Sequence, residues 1–211
     1  MEIMNSLIRL SAFSFLLLSL SGCIPIIFAG GSETAVVATQ ERSTGNAVDD
    51  ATILVKIKSL YADEAKQDDH DLLFNVDVKV VEGRVLLTGN VDKPESQVDA
   101  VRLAWQVDGV KEVMNEIQFT DKSGISNYAR DVWISAQVKS KLLFAKNLRS
   151  VNYSVITTNQ VVYIMGVAQD QDELDRATYL ASTTKYVEKV VSYVELKDDP
   201  RRFPAAKDFP K

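Results

Sequence analysis

Hydrophobic and polar positions follow the same order of patterns twice along this chain, which indicates an internal repeat. Residues 50–59 correspond to residues 131–140, with an Asp, two apolar positions and a Lys-Ser pair in register. Residues 84–91 correspond in the same way to residues 161–168, and this match aligns Gly89 with Gly166. Each copy is therefore expected to form one small folded unit.

Within each copy the spacing of apolar residues predicts helix, strand, strand, helix and strand. Apolar residues at every fourth position open each copy and predict a helix with one buried face. They are Ile53, Ile57 and Tyr61 in the first copy, and Ile134, Val138 and Leu142 in the second. An alternating pattern then predicts a strand, with Phe74, Val76, Val78 and Val80 on one face and Val151, Tyr153 and Val155 at the corresponding positions.

Turn and cap residues complete the predicted topology. Asp49 or Asp50 in the first copy and Asp131 in the second are expected to cap the first helices. Glu82-Gly83 and Asn159-Gln160 are expected to turn the two hairpins. A second helix is predicted at 94–106 and again at 171–183. The fold class is therefore α+β: two tandem αββαβ domains, at 48–119 and 127–196 with a linker at 120–126, each a three-stranded sheet with two helices packed on one face.

The amino-terminal residues 1–22 have the features of a signal peptide. An apolar run from residue 13 to residue 20 is too short for a mature membrane-spanning helix. Leu20-Ser21-Gly22-Cys23 resembles the bacterial lipobox, which implies that Cys23 is lipidated, with palmitate among its acyl chains, and becomes the first mature residue. The alternative is an ordinary signal peptide followed by a free or buried cysteine. Translation could begin at Met1 or at Met4.

Two further segments lie outside the predicted domains. Residues 23–47 are rich in Gly, Ser and Thr after a short apolar start, and we expect a lipidated tether. Residues 197–211 contain three prolines and mixed charge, and we expect a disordered tail.

Charge and composition narrow the function. The chain is 46% hydrophobic and 25% charged, as in globular proteins, and its formal net charge of -5 argues against a nucleic-acid partner. The two copies differ, because residues 48–119 hold 8 basic and 15 acidic residues, whereas residues 127–196 hold 8 basic and 7 acidic residues. The two domains should therefore meet different surfaces.

The αββαβ pattern, with residues 86–89 (LLTG) and 109–113 (GVKEV), resembles the BON domain. The second copy keeps Gly166 but has Tyr186 where the first has Gly109. Together with the lipobox, the chain resembles outer-membrane lipoproteins that carry two BON domains. This resemblance implies phospholipid binding and a role in envelope integrity and at the division site. Neither residue after Cys23 is the Asp that in lipoproteins favours retention in the inner membrane, so we expect an outer-membrane anchor facing the periplasm.

Trp133 is the principal candidate for membrane contact. On a helix whose core direction is set by Ile134, Val138 and Leu142, Trp133 lies roughly 140° from the buried centre and should face outward. An indole suits the membrane interface, and basic side chains suit anionic headgroups. The predicted phospholipid-binding residues are Trp133, Gln137, Lys139, Lys141, Phe144 and Lys146.

Two alternatives remain for this surface. Trp133 could pack against the first repeat or against the tail. The chain could also be a periplasmic scaffold that holds a protein partner of outer-membrane assembly or cell-wall remodelling.

An enzyme is not expected. The single histidine, His70, lies in the acidic segment 68–71 without a cysteine or second histidine nearby, and no nucleophile motif accompanies it. A metal site there would lack a recognised ligand spacing, so solvated loop charges are the preferred interpretation. We expect no catalytic residue, no metal, no cofactor and no small-molecule substrate.

Overall fold

The computed structural model describes residues 44–64, 72–119 and 125–202 of the 211-residue chain. The predicted signal peptide, Cys23, the tether up to residue 43 and the segment around His70 lie outside these residues. The same holds for residues 120–124 of the linker and for residues 203–211 of the tail.

Two consecutive αββαβ units follow one another, which confirms the predicted fold class. The first consists of α1 (Thr44–Glu64), the single turn α2 (Leu72–Asn75), β1 (Val76–Val81), β2 (Arg84–Val91), α3 (Pro94–Trp105) and β3 (Glu112–Phe119). The second consists of α4 (Ile125–Phe144), a 3-10 turn (Ser150–Asn152), β4 (Tyr153–Thr158), β5 (Val161–Ala168), α5 (Gln171–Ser182) and β6 (Lys189–Leu196).

Each unit has one three-stranded sheet, in the order β1-β2-β3 and β4-β5-β6. The first two strands of each sheet form an antiparallel hairpin, and the third strand runs parallel to the second. A parallel neighbour requires a crossover connection, which α3 and α5 supply. Both helices of a unit therefore pack over one face of its sheet.

The core of each unit lies between its helices and its sheet. In the first unit the apolar residues of α1 meet those of the strands and of α3, including Ile57, Tyr61, Leu72, Val85 and Leu103. In the second unit Ile134, Val138 and Leu142 of α4 meet Val162 and Ala177. The apolar residues at every fourth position of the sequence therefore identify the buried faces of α1 and α4 correctly.

The predicted roles of Asp50 and Asp131 as helix caps are wrong, because α1 and α4 begin six residues before them. Both carboxylates instead accept hydrogen bonds from the hairpin turn of their own unit. Asp50 accepts from the backbone N–H groups of Glu82 and Gly83, each at 2.8 Å. Asp131 accepts from Asn159 and Gln160 at 2.7 and 2.9 Å. Each buried carboxylate therefore fastens a helix to a turn distant in sequence.

The hairpin turns lie where the sequence predicts them. Both central residues of each turn have positive φ, at 56° and 78° for Glu82-Gly83 and at 49° and 65° for Asn159-Gln160, which defines a type I′ turn. Gly166 is required for a different reason. Its φ is 152°, and a Cβ there would lie 2.0 Å from the carbonyl oxygen of Asn152.

Phe74 lies outside β1, although the alternating pattern places it on the same strand face as Val76 and Val80. The chain makes the helical turn α2 before β1 begins, and Leu72 of this turn is fully buried instead. Phe74 points to solvent with 81% of its surface exposed.

The two units pack sheet against sheet, on the faces that the helices leave open. Val81, Leu86 and Met114 of the first unit meet Tyr163 and Met165 of the second in a separate apolar cluster. Polar contacts frame this cluster. Arg84 donates to the carbonyl oxygen of Tyr193 at 3.0 Å and pairs with Glu195 at 3.4 Å. The Tyr193 hydroxyl also donates to Glu116, and Asn159 donates to Asn90 and Gln118.

The start of the predicted tail is ordered, which corrects the expectation of disorder as far as residue 202. A 3-10 turn at Pro200–Arg202 brings Arg202 back onto the first unit. Its guanidinium donates to both carboxylate oxygens of Glu82, at 2.7 and 2.9 Å. Because the two side chains are only 4% and 9% exposed, this contact fixes the chain after β6 to the first hairpin.

Candidate lipid-contact surface

The outward side of α4 is unusually apolar for a helix on a protein surface. Its buried stripe is complete without these residues, since Ile134, Val138 and Leu142 already face the core. Five large apolar or aromatic side chains nevertheless project from the remaining arc. They are Tyr128, Val132, Trp133, Leu143 and Phe144, which are 72%, 50%, 41%, 62% and 81% exposed. We call these five residues the α4 apolar face.

Trp133 is held by an aromatic partner that follows α5. The ring of Tyr186 meets the indole edge to face, with the ring centroids 5.6 Å apart. The ammonium group of Lys185 lies 4.6 Å from the Tyr186 centroid, and the guanidinium of Arg130 lies at 6.0 Å. These distances fit cation–π contacts. The indole is thus oriented from one side and remains exposed on the other.

The charged groups of Lys185 and Arg130 beside the Tyr186 ring are both positive. The hydrogen-bonding ammonium of Lys185 lowers the pKa of the Tyr186 hydroxyl, and the charge of Arg130 acts in the same direction. Along α4 itself Asp131 is the single acidic residue, and it is buried against the hairpin turn. Arg130 and Lys139, in contrast, are exposed. The helix therefore presents apolar and basic groups outward and no acidic group.

The structure brings some of the predicted site residues together and separates others. Trp133, Gln137 and Phe144 lie along one stripe of α4, and all three are exposed. Lys146 is exposed just beyond the helix end. Lys139 lies roughly 120° around the helix from Trp133, between Tyr128 and Val132.

Lys141 is engaged elsewhere in the same unit. Its ammonium donates to the carbonyl oxygens of Thr183 and Leu180, at 3.0 and 3.5 Å, where α5 ends. This contact satisfies carbonyl groups that a helix end leaves without internal partners. Lys141 thus joins α4 to α5 and is not an unpaired charge of the surface.

Tyr186 is the residue of this surface that the sequence reading misses. Its φ is 69°, in the left-handed region where the first unit has Gly109 at 94°. A large residue at such a position is uncommon and carries strain. The sequence did contain a signal for Tyr186, namely that the second copy has Tyr where the first has Gly. A tyrosine at a position of positive φ strains the backbone, which suggests that its side chain has a role.

Other site classes find no support in the described part of the chain. Among residues 44–64, 72–119 and 125–202 no three His, Cys, Asp or Glu side chains are grouped as metal ligands would be. Within the same residues no helix combines the length and hydropathy needed to cross a membrane. Trp105 is half exposed at the end of α3.

The described chain thus consists of two docked αββαβ units, the second with an exposed apolar and basic helix. The family model for the BON domain matches residues 49–121 and again residues 130–198. The chain belongs to the BON-domain family and contains two copies of the domain. As the sequence predicts, it is a non-enzymatic protein.

Three bacterial proteins are similar to this chain over most of their length. The outer membrane lipoprotein DolP of Haemophilus influenzae is 31% identical over 179 residues, which are 85% of this chain and 91% of that protein. The osmotically-inducible protein Y of Escherichia coli is 29% identical over 76% of this chain and 79% of its own. An uncharacterized protein from the gshII 5' region of Anaplasma centrale is 43% identical over 74% of this chain and 99% of its own.

Proposed function

We propose that this protein is a lipoprotein anchored to the outer membrane through Cys23, facing the periplasm, whose second BON domain binds anionic phospholipid. The observation that carries the proposal is the outward side of α4. Five large apolar or aromatic residues are exposed there, basic residues flank them, and the one acidic residue of the helix is buried. An apolar face bordered by Lys and Arg is the composition that binds a bilayer interface.

Magnitudes favour a weak but useful contact. Burial of one large apolar side chain contributes about 1.5–3 kcal/mol, and each basic residue near an anionic surface contributes about 1 kcal/mol. Trp133, Phe144 and two or three cations would therefore give reversible binding. When Cys23 anchors the chain, such a contact becomes intramolecular, and even weak binding is then effective.

The name of one relative supports the proposed location. This relative is named an outer membrane lipoprotein, and the lipobox at Cys23 is what such attachment requires. Lipid recognition by the folded part would add selectivity to attachment, because the domain would settle where anionic lipid is enriched. This provides a route to a role in envelope integrity or at the division site.

Cosedimentation with protein-free vesicles tests the proposal. We would use residues 30–211, which keep every residue of the three cores but leave out Cys23 and the apolar residues 24–29 that could bind vesicles by themselves. We expect binding to phosphatidylglycerol vesicles that decreases as salt increases, and little binding to phosphatidylcholine vesicles.

Trp133→Glu should abolish this binding. The matched control is Tyr179→Glu, which places the same charge at an exposed aromatic residue on α5. If the folded parent protein does not bind, or if both variants bind as the parent does, lipid recognition by α4 is wrong. A periplasmic scaffold for a protein partner would then be the better account.

A further inference from the structure

Phe74 is a large apolar residue of the first domain whose side chain is exposed to solvent. Among the large hydrophobic residues of the described chain it has the highest exposure, 81%, which it shares with Phe144 of the α4 apolar face. Two kinds of contact hold the turn that carries Phe74. Leu72 is buried in the core, and the Lys58 ammonium donates to the carbonyl oxygens of Leu73 and Val76 at 3.1 and 2.7 Å. The exposure of Phe74 is therefore built into the fold.

Phe74 faces the α4 apolar face across a cleft between the two domains. The cleft has a volume of about 850 Å³. Phe74, Asn75 and Asp77 line its wall in the first domain, and Tyr128, Val132 and Lys139 are among the residues that line its wall in the second. Because Tyr128 and Val132 also belong to the α4 apolar face, the apolar surface continues from α4 across the cleft to Phe74.

The charged groups of the cleft differ between its two walls. Lys58 and Lys139 occupy the same position in the two repeats, but only Lys58 is used to hold carbonyl groups. Lys139 is exposed, and within the described residues no hydrogen bond or ion pair reaches its ammonium. Asp77 is the exposed acidic group on the opposite wall, and Lys58 lies close enough to interact with its charge. Lys139 is thus the cation that the cleft offers to a ligand.

We infer that the lipid-contact surface spans both domains: Phe74 enters the membrane interface together with Tyr128 and Val132, while Lys139 binds lipid phosphate at the mouth of the cleft. The inference rests on the proposed function and extends it to the first domain. The partner of this surface is an anionic bilayer. Continuity with the α4 apolar face and the positive charge of Lys139 both favour that partner.

A contact in each domain has a consequence that one helix could not provide. A single helix can roll about its axis on a bilayer, whereas two separated contacts on one packed body define its orientation. The sheet-to-sheet packing of the domains sets the position of Phe74 relative to Trp133. The interdomain contacts would therefore be part of lipid binding.

Phe74→Ser in residues 30–211 tests the inference with phosphatidylglycerol vesicles. Loss of one buried phenyl group predicts about tenfold weaker binding. The matched control is Tyr179→Ser, an exposed aromatic residue away from the cleft, which should bind as the parent does. Both variants should fold, because neither side chain is in a core, and thermal unfolding followed by circular dichroism checks this.

A fluorescent label gives an independent readout. Residues 30–211 contain no cysteine, so Phe74→Cys or Tyr179→Cys provides a single site for a polarity-sensitive dye. With phosphatidylglycerol vesicles, dye at position 74 should shift to shorter wavelength, and dye at position 179 should not shift.

The outcomes separate the inference from the proposed function. If Trp133→Glu abolishes binding but Phe74→Ser binds as the parent does and dye at position 74 does not shift, the inference is overturned and the proposed function stands. If the parent protein does not bind vesicles at all, the proposed function fails as well. A dye shift produced by an envelope protein and not by vesicles would overturn the inference in favour of a protein-binding cleft.

Discussion

Tyr186 shows how one residue position can serve the backbone in one repeat and the surface in the other. The first repeat has Gly109 at a positive φ, which glycine adopts without strain. The second repeat has Tyr186 in the same region, and its ring contacts Trp133. The strain costs about 1–3 kcal/mol, and the aromatic pair returns about 0.5–1.5 kcal/mol. Stability alone therefore does not account for the tyrosine, whereas orientation of Trp133 does.

Tyr186→Gly should consequently separate stability from binding. We expect the free energy of unfolding to stay within about 1 kcal/mol of the parent value, because relief of strain offsets loss of the ring contact. Binding to phosphatidylglycerol vesicles should weaken severalfold, since Trp133 loses the ring that orients it. Urea unfolding and cosedimentation measure the two effects. Unchanged vesicle binding would show that Tyr186 has no part in the surface.

Single residues also mark where sequence reading stops. Trp133 could be placed on the outer side of its helix because the core stripe of α4 repeats every fourth residue. Lys141 could not be separated from its neighbours, because the carbonyl groups that it contacts lie 39 and 42 residues further along the chain. Periodicity gives the direction of a side chain but not its partner.

Helices and strands were predictable to the extent that their patterns are local. The hairpin positions follow from the turn residues, and the helix faces follow from apolar spacing. The true partners of Asp50 and Asp131 are hairpin turns 28 to 33 residues away, which no local pattern reveals. Phe74 was misplaced because Leu72, Phe74 and Val76 are apolar at every second position, as in a strand. The chain instead makes a helical turn at Leu72–Asn75.

The packing of α1 against α3 depends on a buried tyrosine. The hydroxyl of Tyr61 on α1 donates to the carbonyl oxygen of Ala100 on α3 at 2.9 Å. Burial raises the pKa of Tyr61 above its usual value. As the pH rises, the Tyr61 hydroxyl therefore loses its proton in the unfolded chain before it does so in the folded chain. The stability that Tyr61 provides is complete below about pH 10 and is lost as the pH rises further.

Tyr61→Phe should therefore reduce the alkaline sensitivity of the fold. At pH 7 we expect a loss of about 1 kcal/mol, because the hydrogen bond from the Tyr61 hydroxyl to the Ala100 carbonyl oxygen is lost. Between about pH 10 and pH 11 the free energy of unfolding should fall less steeply in Tyr61→Phe than in the parent protein. Urea unfolding across this pH range measures both. Equal slopes would mean that Tyr61 ionises without unfolding.

At the scale of the two domains together, each sheet packs against the other through the face that its own helices do not cover. Without this packing those faces would be exposed to solvent. An apolar cluster at the centre and polar contacts around it join residues that are far apart in sequence. The sequence predicts both domains but not this packing, because the alternation within a strand does not say which partner covers its second face. The cleft beside Phe74 arises from the packing and was equally hidden.

Arg202 extends the interdomain contact beyond the last strand, and its removal should be costly. Arg202→Met leaves the nearly buried carboxylate of Glu82 without its partner, and we expect a loss of about 3 kcal/mol in the free energy of unfolding. Glu82→Gln together with Arg202→Met should recover part of that loss, because no buried charge remains unpaired. Thermal and urea unfolding measure the effect. A change below about 0.5 kcal/mol for Arg202→Met would contradict a structural role for this pair.

The measurement that tests the central claim most directly is the depth of Trp133 in a bilayer. The chain has two tryptophans, so Trp105→Phe leaves Trp133 as the single indole in residues 30–211. With phosphatidylglycerol vesicles whose acyl chains carry bromine, Trp133 fluorescence should shift to shorter wavelength and be quenched, and without bromine only the shift should appear. Binding without shift or quenching would contradict membrane contact through α4.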